Sequence, residues 1–392
     1  MEYIKLSEVC DVRDGTHDSP KYVTEGYPLV TSKNIIDGKL DLSVINYLSQ
    51  EDYDKINERS KVDIGDIIMP MIGTIGNPYI VEDFTDFAIK NVALVKFPDD
   101  SISNRFVWYY LKSESFNRYV SEKNKGGTQK FLSLGDIRNL NIPVIKKNEQ
   151  DEIVELLDKV SSIIEIRKDE LINLDKLIKA RFVELFGDPK LNPKKWDVVN
   201  ISEVVGGKVS NGFFAKRDDY CDDGNIRVLG VANIVNRMYS NLEDLPRTNA
   251  DDKDIEKFEV KYGDMLFCRS SLVAEGIGKA SIIPEDVQEN ILFECHVIRL
   301  PLDLSKCVPE FMQTLSTMDY FRNQVISQSK TATMTTIGQD GILKTDIILP
   351  PIDKQKEFYD FVKQVDKSKF AILNSINKEK LLFDSLMQDY FG

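Results

Sequence analysis

Two histidines (His17 and His296) and five cysteines (Cys10, Cys221, Cys268, Cys295 and Cys307) are all the sequence offers for imidazole or thiolate chemistry. No two cysteines form a Cys-x-x-Cys pair, so a zinc cluster lacks ligands. The scattered thiols fit a reducing compartment better than a disulfide framework. His296 falls inside an apolar run and reads as a core residue, which leaves acid–base or triad chemistry little to draw on. Gly206-Gly207-Lys208-Val209 and Gly276-Ile277-Gly278-Lys279-Ala280 both miss the phosphate-cradling P-loop pattern. Asn77-Pro78-Tyr79 lacks the second proline of an amino-methyltransferase loop, and no glycine-rich strand-to-helix turn accompanies it. Glu259-Val260-Lys261 has the ending of a metal-dependent nuclease motif without the Pro-Asp that should precede it. Carboxylate runs such as Asp251-Asp252-Lys253-Asp254 read as solvated loop charge. The chain reads as non-catalytic, with no metal or cofactor site of its own.

Any side chain that binds must be positioned by a fold, and 392 residues suffice for two to three domains at ~150 residues each. Internal repetition narrows the choice. Gln150-Asp151-Glu152-Ile153 is echoed by Gln355-Lys356-Glu357-Phe358, and Leu185-Phe186-Gly187 by Tyr390-Phe391-Gly392, at a constant offset of 205. Upstream, Val62 to Ile68 resembles Val260 to Leu266, Leu29 to Ile35 resembles Val228 to Ile234, and Phe106 to Val120 resembles Phe311 to Val325. One unit of roughly 200 residues is present twice. Each copy opens with short apolar runs punctuated by Gly, Pro, Asn and Asp, a β-rich pattern with a few helices. The period then becomes helical. Ile153, Leu157, Val160, Ile164, Leu171, Leu174, Ile178 and Leu185 follow 4–3 spacing, with Arg167 and Arg181 filling the seam. Phe358, Val362, Val365, Ile372, Ile376, Phe383, Leu386 and Tyr390 do the same in the second copy, interrupted by Lys369 and Glu379. A helix of ~38 residues is roughly 57 Å long, more than one globule needs, so its seam calls for the other copy's helix as partner. The competing arrangement docks each helix on its own globule. No apolar run reaches the ~18 residues of a membrane span, and Met1-Glu2-Tyr3-Ile4-Lys5 does not open a secretory leader; no membrane partner and a cytoplasmic location are expected.

A duplicated β-rich domain plus long helix, without catalytic motifs, resembles the specificity subunit of Type I restriction-modification systems, over the whole chain. The motifs that carry the resemblance are Asp14-Gly15-Thr16-His17, Pro28 to Ile35, Gly65-Asp66-Ile67-Ile68, Ile72-Gly73-Thr74-Ile75-Gly76, Gly127-Thr128-Gln129-Lys130 and Leu140-Asn141-Ile142-Pro143, with Gln150 opening the helix. The second copy departs where Thr331-Ala332-Thr333-Met334 replaces Gly127-Thr128-Gln129, and Arg269-Ser270-Ser271 replaces Pro70-Met71-Ile72. The resemblance implies an α+β chain with a pseudo-twofold internal repeat: two β-rich target recognition domains (1–147 and 188–352) joined by two long spacer helices (148–187 and 353–392) that form an antiparallel coiled coil. It implies a non-catalytic subunit that reads a bipartite, asymmetric target in double-stranded DNA and docks two modification (methyltransferase) subunits and, through the complex, restriction subunits. S-adenosylmethionine would belong to the modification subunits, and ATP with magnesium to the restriction subunits.

Reading DNA requires Lys or Arg for phosphate and Asn, Gln, Ser or Thr for base edges. The glycine-loosened loop 121–130 offers Lys123, Lys125, Thr128, Gln129 and Lys130, and the matching loop 327–336 offers Gln328, Lys330, Thr331 and Thr333. Further candidates are His17, Lys21, Ser32 and Lys33 in the first domain and Asn211, Lys216, Arg217 and Arg269 in the second. The same compositions also suit solvated loops, and Asn34 and Asn233 instead suit turn geometry. With 51 Lys+Arg against 64 Asp+Glu, the net charge of −13 favours a different class, a pseudo-symmetric protein-binding scaffold without DNA recognition. A third class, a stand-alone methyltransferase, would bind S-adenosylmethionine by itself.

Overall fold

The computed structural model describes residues 2–73, 75–124, 131–331 and 334–392. They fall into two compact units, Met1–Lys168 with Asn374–Gly392, and Asp169–Leu373, so the division passes through both long helices.

In the first unit an antiparallel four-stranded sheet runs in the order Asp11–Asp14, Val92–Lys96, Ile67–Pro70, Tyr79–Ile80. Ile67, Ile68 and Met69 are all fully buried because this inner strand is covered on both faces, which explains its unbroken apolar run. A second sheet sets Tyr27–Val30 between Asn46–Leu48 and Ala88–Ile89. Tyr3–Lys5 pairs with Asn141–Pro143 and brings the chain back to the start of the first long helix.

The second unit repeats these three sheets; the pair Ile35–Ile36 with Lys39–Leu40 of the first unit has no counterpart among its described residues. Its four-stranded order is Ser210–Asn211, Val297–Pro301, Asp264–Cys268, Ala280–Ile282, and its three-stranded sheet sets Ile226–Leu229 between Arg247–Thr248 and Ile291–Phe293. Asp197–Asn200 pairs with Asp346–Leu349. A small sheet of Ser270–Ser271, Thr335–Thr336 and Lys330–Thr331 corresponds, among the described residues of the first unit, to a single bridge.

The periodic segments form helices over Lys147–Phe186 and Ile352–Phe391. Gly187 ends the first at φ +80°, a conformation L side chains rarely adopt, and its N–H bonds the Val183 carbonyl at 2.7 Å. In the first unit Ile153 and Leu157 share a core with Leu386, Met387, Tyr390 and Phe391, so the start of one helix lies by the end of the other. In the second unit Arg181 pairs with Glu357 at 3.2 Å and Asp175 with Lys369 at 2.5 Å. Residue numbers rise along one helix as they fall along its partner, and the helices are antiparallel within each unit. Arg181 and Lys369, which interrupt the apolar seam in the sequence, are thereby accommodated as ion pairs.

Candidate nucleic-acid interface

Gly15 and Gly212 occupy the same place in the two units, where one strand passes tightly over another. A Cβ on Gly15 would lie 2.3 Å from the Ile89 carbonyl oxygen, and one on Gly212 would lie 2.2 Å from that of Phe293, so neither position tolerates a side chain. The chain leaving Gly15 delivers His17. Its Nδ1 lies 2.9 Å from Asn91 Oδ1 and its Nε2 lies 2.9 Å from Asp14 Oδ2. Oxygen acceptors at both ring nitrogens favour the imidazolium. The Asn91 bond first and the Asp14 bond second raise the His17 pKa above its ordinary value. Asp14 is buried and also pairs with Arg59. His17, Lys55 and Arg59 line one cavity of about 390 Å³ together with Asp18 and Asp52.

The other first-unit candidates disperse. Lys21 is exposed in irregular chain beyond His17. Ser32 and Lys33 sit on a 3₁₀ turn whose geometry Asn34 holds, accepting from Thr31 N at 3.0 Å and donating to the Asp41 and Val44 carbonyls at 3.1 and 3.0 Å. Lys123 ends the helix Glu114–Lys123 instead of lying in a loop, and it pairs with Asp136 at 3.2 Å. Lys125, Thr128, Gln129 and Lys130 lie outside the described residues, as does Thr333 of the second copy.

In the second unit the small sheet carries hydroxyls on both of its faces, Ser270 and Thr336 on one and Ser271, Thr335 and Thr331 on the other. Ser270 pairs with Thr336 and Ser271 with Thr335, while the Thr331 and Thr335 hydroxyls lie 3.0 Å apart. Lys330 and Thr331 are exposed on its outer strand. Arg269, leading into this sheet, donates from Nη1 to the Cys295 carbonyl at 3.2 Å. His296 is exposed on the turn before Val297–Pro301, with Nδ1 3.4 Å from Ser270 Oγ. That corrects its reading as a core residue: the flanking strands are apolar, but the turn between them faces water. Asn211 lies beside the Gln339 amide at 3.3 Å. Lys216 and Arg217 occupy a separate 3₁₀ turn with Asp218 and Asp219, and Gln328 caps the helix Asp319–Ser327. Lys55, Arg59, Ser270, Ser271, His296 and Thr336 were not anticipated as binding residues.

One backbone bridge is shared by the units and differs in its side chains. Ile72 faces Phe131 in the first, and Ser270 faces Thr336 in the second. The flanking bonds confirm the equivalence, since Leu132 N donates to the Met71 carbonyl and Ile337 N to the Arg269 carbonyl. Arg269 therefore stands where the first unit has Met71; the sequence alignment, which set it against Pro70, was one residue out. An aromatic–aliphatic face in one unit becomes a hydroxyl face in the other.

Among the described residues no group of histidine, cysteine and carboxylate side chains could hold a metal ion, and no helix is long and apolar enough to cross a membrane. The model of the Type I restriction modification DNA specificity domain matches this chain twice, over residues 1–176 and 193–380. The chain is 22% identical to the Type I restriction enzyme EcoKI specificity subunit of Escherichia coli K12 over 389 residues, covering 91% of this chain and 78% of that one. It is 23% identical to the StySPI specificity subunit of Salmonella potsdam over 382 residues, with the same coverage of 91% and 78%. The solved S subunit of the Type I system of M. genitalium shares its fold at a TM-score of 0.52 and 13% identity, over 100% of this chain and 96% of that one. A chain solved in work on complex assembly and conformational transition of the type I R-M system reaches 0.58 at 16% identity, over 100% and 97%. Two matched specificity domains, each with its long helix, place the chain in the family of Type I restriction-modification specificity subunits, which are non-catalytic and do not bind the cofactors of the system.

Proposed function

We propose that each unit reads one half of a bipartite, asymmetric DNA target. Residues 1–147 and 188–352 act as the two target recognition domains, and 148–187 and 353–392 as the helices that space them. The carrying observation is the shared bridge with unlike side chains, Ile72–Phe131 against Ser270–Thr336, next to four-stranded sheets of matching order. Equal frameworks with different contact chemistry are what two readers of different sequences require. In the second unit Lys330 would meet phosphate, and Ser270 and Thr336 on the same face base edges, with Thr331 a further contact from the exposed outer strand; in the first, His17 and Arg59 would meet phosphate and Phe131 would supply an apolar contact. Lys21, Ser32, Lys33, Asn211, Lys216, Arg217, Arg269 and Gln328 remain proposed contacts of the surrounding surface.

The helices also leave apolar side chains uncovered. Leu177 and Leu382 hold equivalent positions and are 46% and 50% exposed, with Ile166 at 58% and Phe370 at 68%. Such residues in water fit docking of the two modification subunits, through which the restriction subunits join. S-adenosylmethionine would then reside in the modification subunits, ATP and magnesium in the restriction subunits, and the assembly in the cytoplasm. An electrophoretic shift of the chain with its modification subunits on pooled duplexes tests the reading. Selection of one gapped sequence from the pool is expected, and binding that a scrambled duplex competes equally would oppose it.

A further inference from the structure

The second unit contains a cavity of about 320 Å³ between the first long helix, the strand Ala280–Ile282 and the helix Pro309–Ser316. Lys179, Arg237, Lys279 and Arg322 line it, against one carboxylate, Asp175. Asp175 is already engaged by Lys369 at 2.5 Å. Among the described residues, none of the four cations has a carboxylate partner: Lys279 Nζ donates to Asn236 Oδ1 at 2.8 Å and Arg237 Nε approaches the Val235 carbonyl at 3.4 Å. In a chain of net charge −13, this is a local excess of the opposite sign.

Two of the lining residues carry a buried donor that is unused. Thr314 is 2% exposed, and its hydroxyl has no partner. Arg322 Nη1 likewise has none, while Nη2 donates to the Glu275 carbonyl at 2.9 Å and so fixes the plane of the guanidinium. Gln313 presents no free donor, because its amide already serves the Arg237 and Ala280 carbonyls at 3.2 Å each. A half-buried cation without a counter-charge is costly, and a small anion seated in the cavity relieves it. Idle donors and clustered cations suit tetrahedral oxyanions, which accept from several directions. Ile178, Met238 and Ala280 supply an apolar wall for the organic part of an ester.

We propose that this cavity is a binding site for a phosphate ester, held by Arg322 and Thr314 within and by Lys179, Arg237 and Lys279 at the rim. The ester is either a free nucleotide or a backbone phosphate of bound DNA. Only the second source rests on the DNA-reading proposal.

Isothermal titration of the full chain with adenosine monophosphate and with inorganic phosphate, at fixed ionic strength and with adenosine as uncharged control, tests the site. One saturable site for the monophosphate is expected, with no binding of adenosine. Arg322→Gln and the surface change Lys179→Glu should each weaken it tenfold or more, and the near-isosteric Thr314→Val should weaken it less. Competition by duplex DNA in the complex with modification subunits, with a salt slope reduced by about 0.9 in Lys179→Glu, assigns the phosphate to DNA. Monophosphate binding that DNA does not displace assigns it to a free ester. The proposal is overturned if wild-type chain binds neither anion and the Lys179→Glu salt slope is unchanged. It is equally overturned if adenosine binds as well as its monophosphate, or if binding survives intact in all three variants.

Discussion

Gln150 and Gln355, 205 residues apart in sequence, perform the same task at the start of the two long helices. Gln150 Oε1 accepts from Ser103 N at 2.8 Å and its Nε2 donates to the Ile145 carbonyl at 2.8 Å. Gln355 Oε1 accepts from Val308 N at 2.9 Å, and its Nε2 donates to the Pro350 and Lys306 carbonyls at 2.8 and 3.1 Å. Both amides are buried, at 4% and 0% exposure, so each fastens a helix start to the globule before it without help from water. Replacing either by Leu should cost about 1–3 kcal/mol by leaving buried backbone groups unpaired. Gln355→Leu should cost more, since it orphans three groups instead of two. Urea denaturation of each variant measures this, and an unchanged midpoint would show that the amides do not fasten the helices.

The helix ends are fastened by aromatic packing. Phe391 sits 5.1 Å from Phe106 in the first unit, and Phe186 sits 4.9 Å from Phe311 in the second. Phe391→Ala should destabilise the first unit by roughly 3–5 kcal/mol, the usual cost of emptying a buried aromatic site. Proteolysis should then cut residues 374–391 sooner than the helix interior of the second unit.

Glu310 gives the second unit a pH dependence of defined sign. It is 1% exposed, its Oε1 receives the Tyr239 hydroxyl at 3.2 Å, and its Oε2 has no partner. Burial, reinforced by Glu285 and Asp366, pushes its pKa up to about 7. The folded state therefore holds this proton more tightly than the unfolded chain. The stability it contributes is complete below about pH 4.5 and is lost as pH rises through about 7. Glu310→Gln should raise stability at pH 8.5, by on the order of 3 kcal/mol, and leave it nearly unchanged at pH 4. Thermal melts at the two pH values check the sign; a gain at pH 4 alone would contradict it.

Lys123 and Lys330 should behave differently although both lie in corresponding polar segments. Lys123 is paired with Asp136, whereas Lys330 is exposed on the hydroxyl sheet and, among the described residues, has no carboxylate partner. Lys330→Ala should lower DNA affinity and flatten the salt slope of the complex by about 0.9, with Lys123→Ala changing the slope less. Equal slopes for Lys330→Ala and wild type would remove Lys330 from the interface.

The duplicated framework was legible because its identities fall where geometry permits little else: Gln150 and Gln355, Phe186 and Phe391, Gly187 and Gly392. The contact surface was legible only in part. His296 was misread because the strands on either side of its turn are apolar. Arg269 was set one residue out of register, although Gly65/Gly263 and Asp66/Asp264, continued without a gap, put it against Met71. Lys55 and Arg59 escaped notice on the helix Gln50–Ser60, which carries charge around much of its circumference and so lacks a distinguishing period. Lys123 was placed in a loop, although Ser113 accepts from Phe116 N to start a helix that runs through it.

Independent reading by the two units is tested most directly by exchanging residues 188–352 for the equivalent segment of another specificity subunit and mapping methylated adenines in cells that express the complex. The account predicts a new sequence in one half of the methylated target, with the other half unchanged. A change in both halves together, or a target identical to that of the parent, would contradict it.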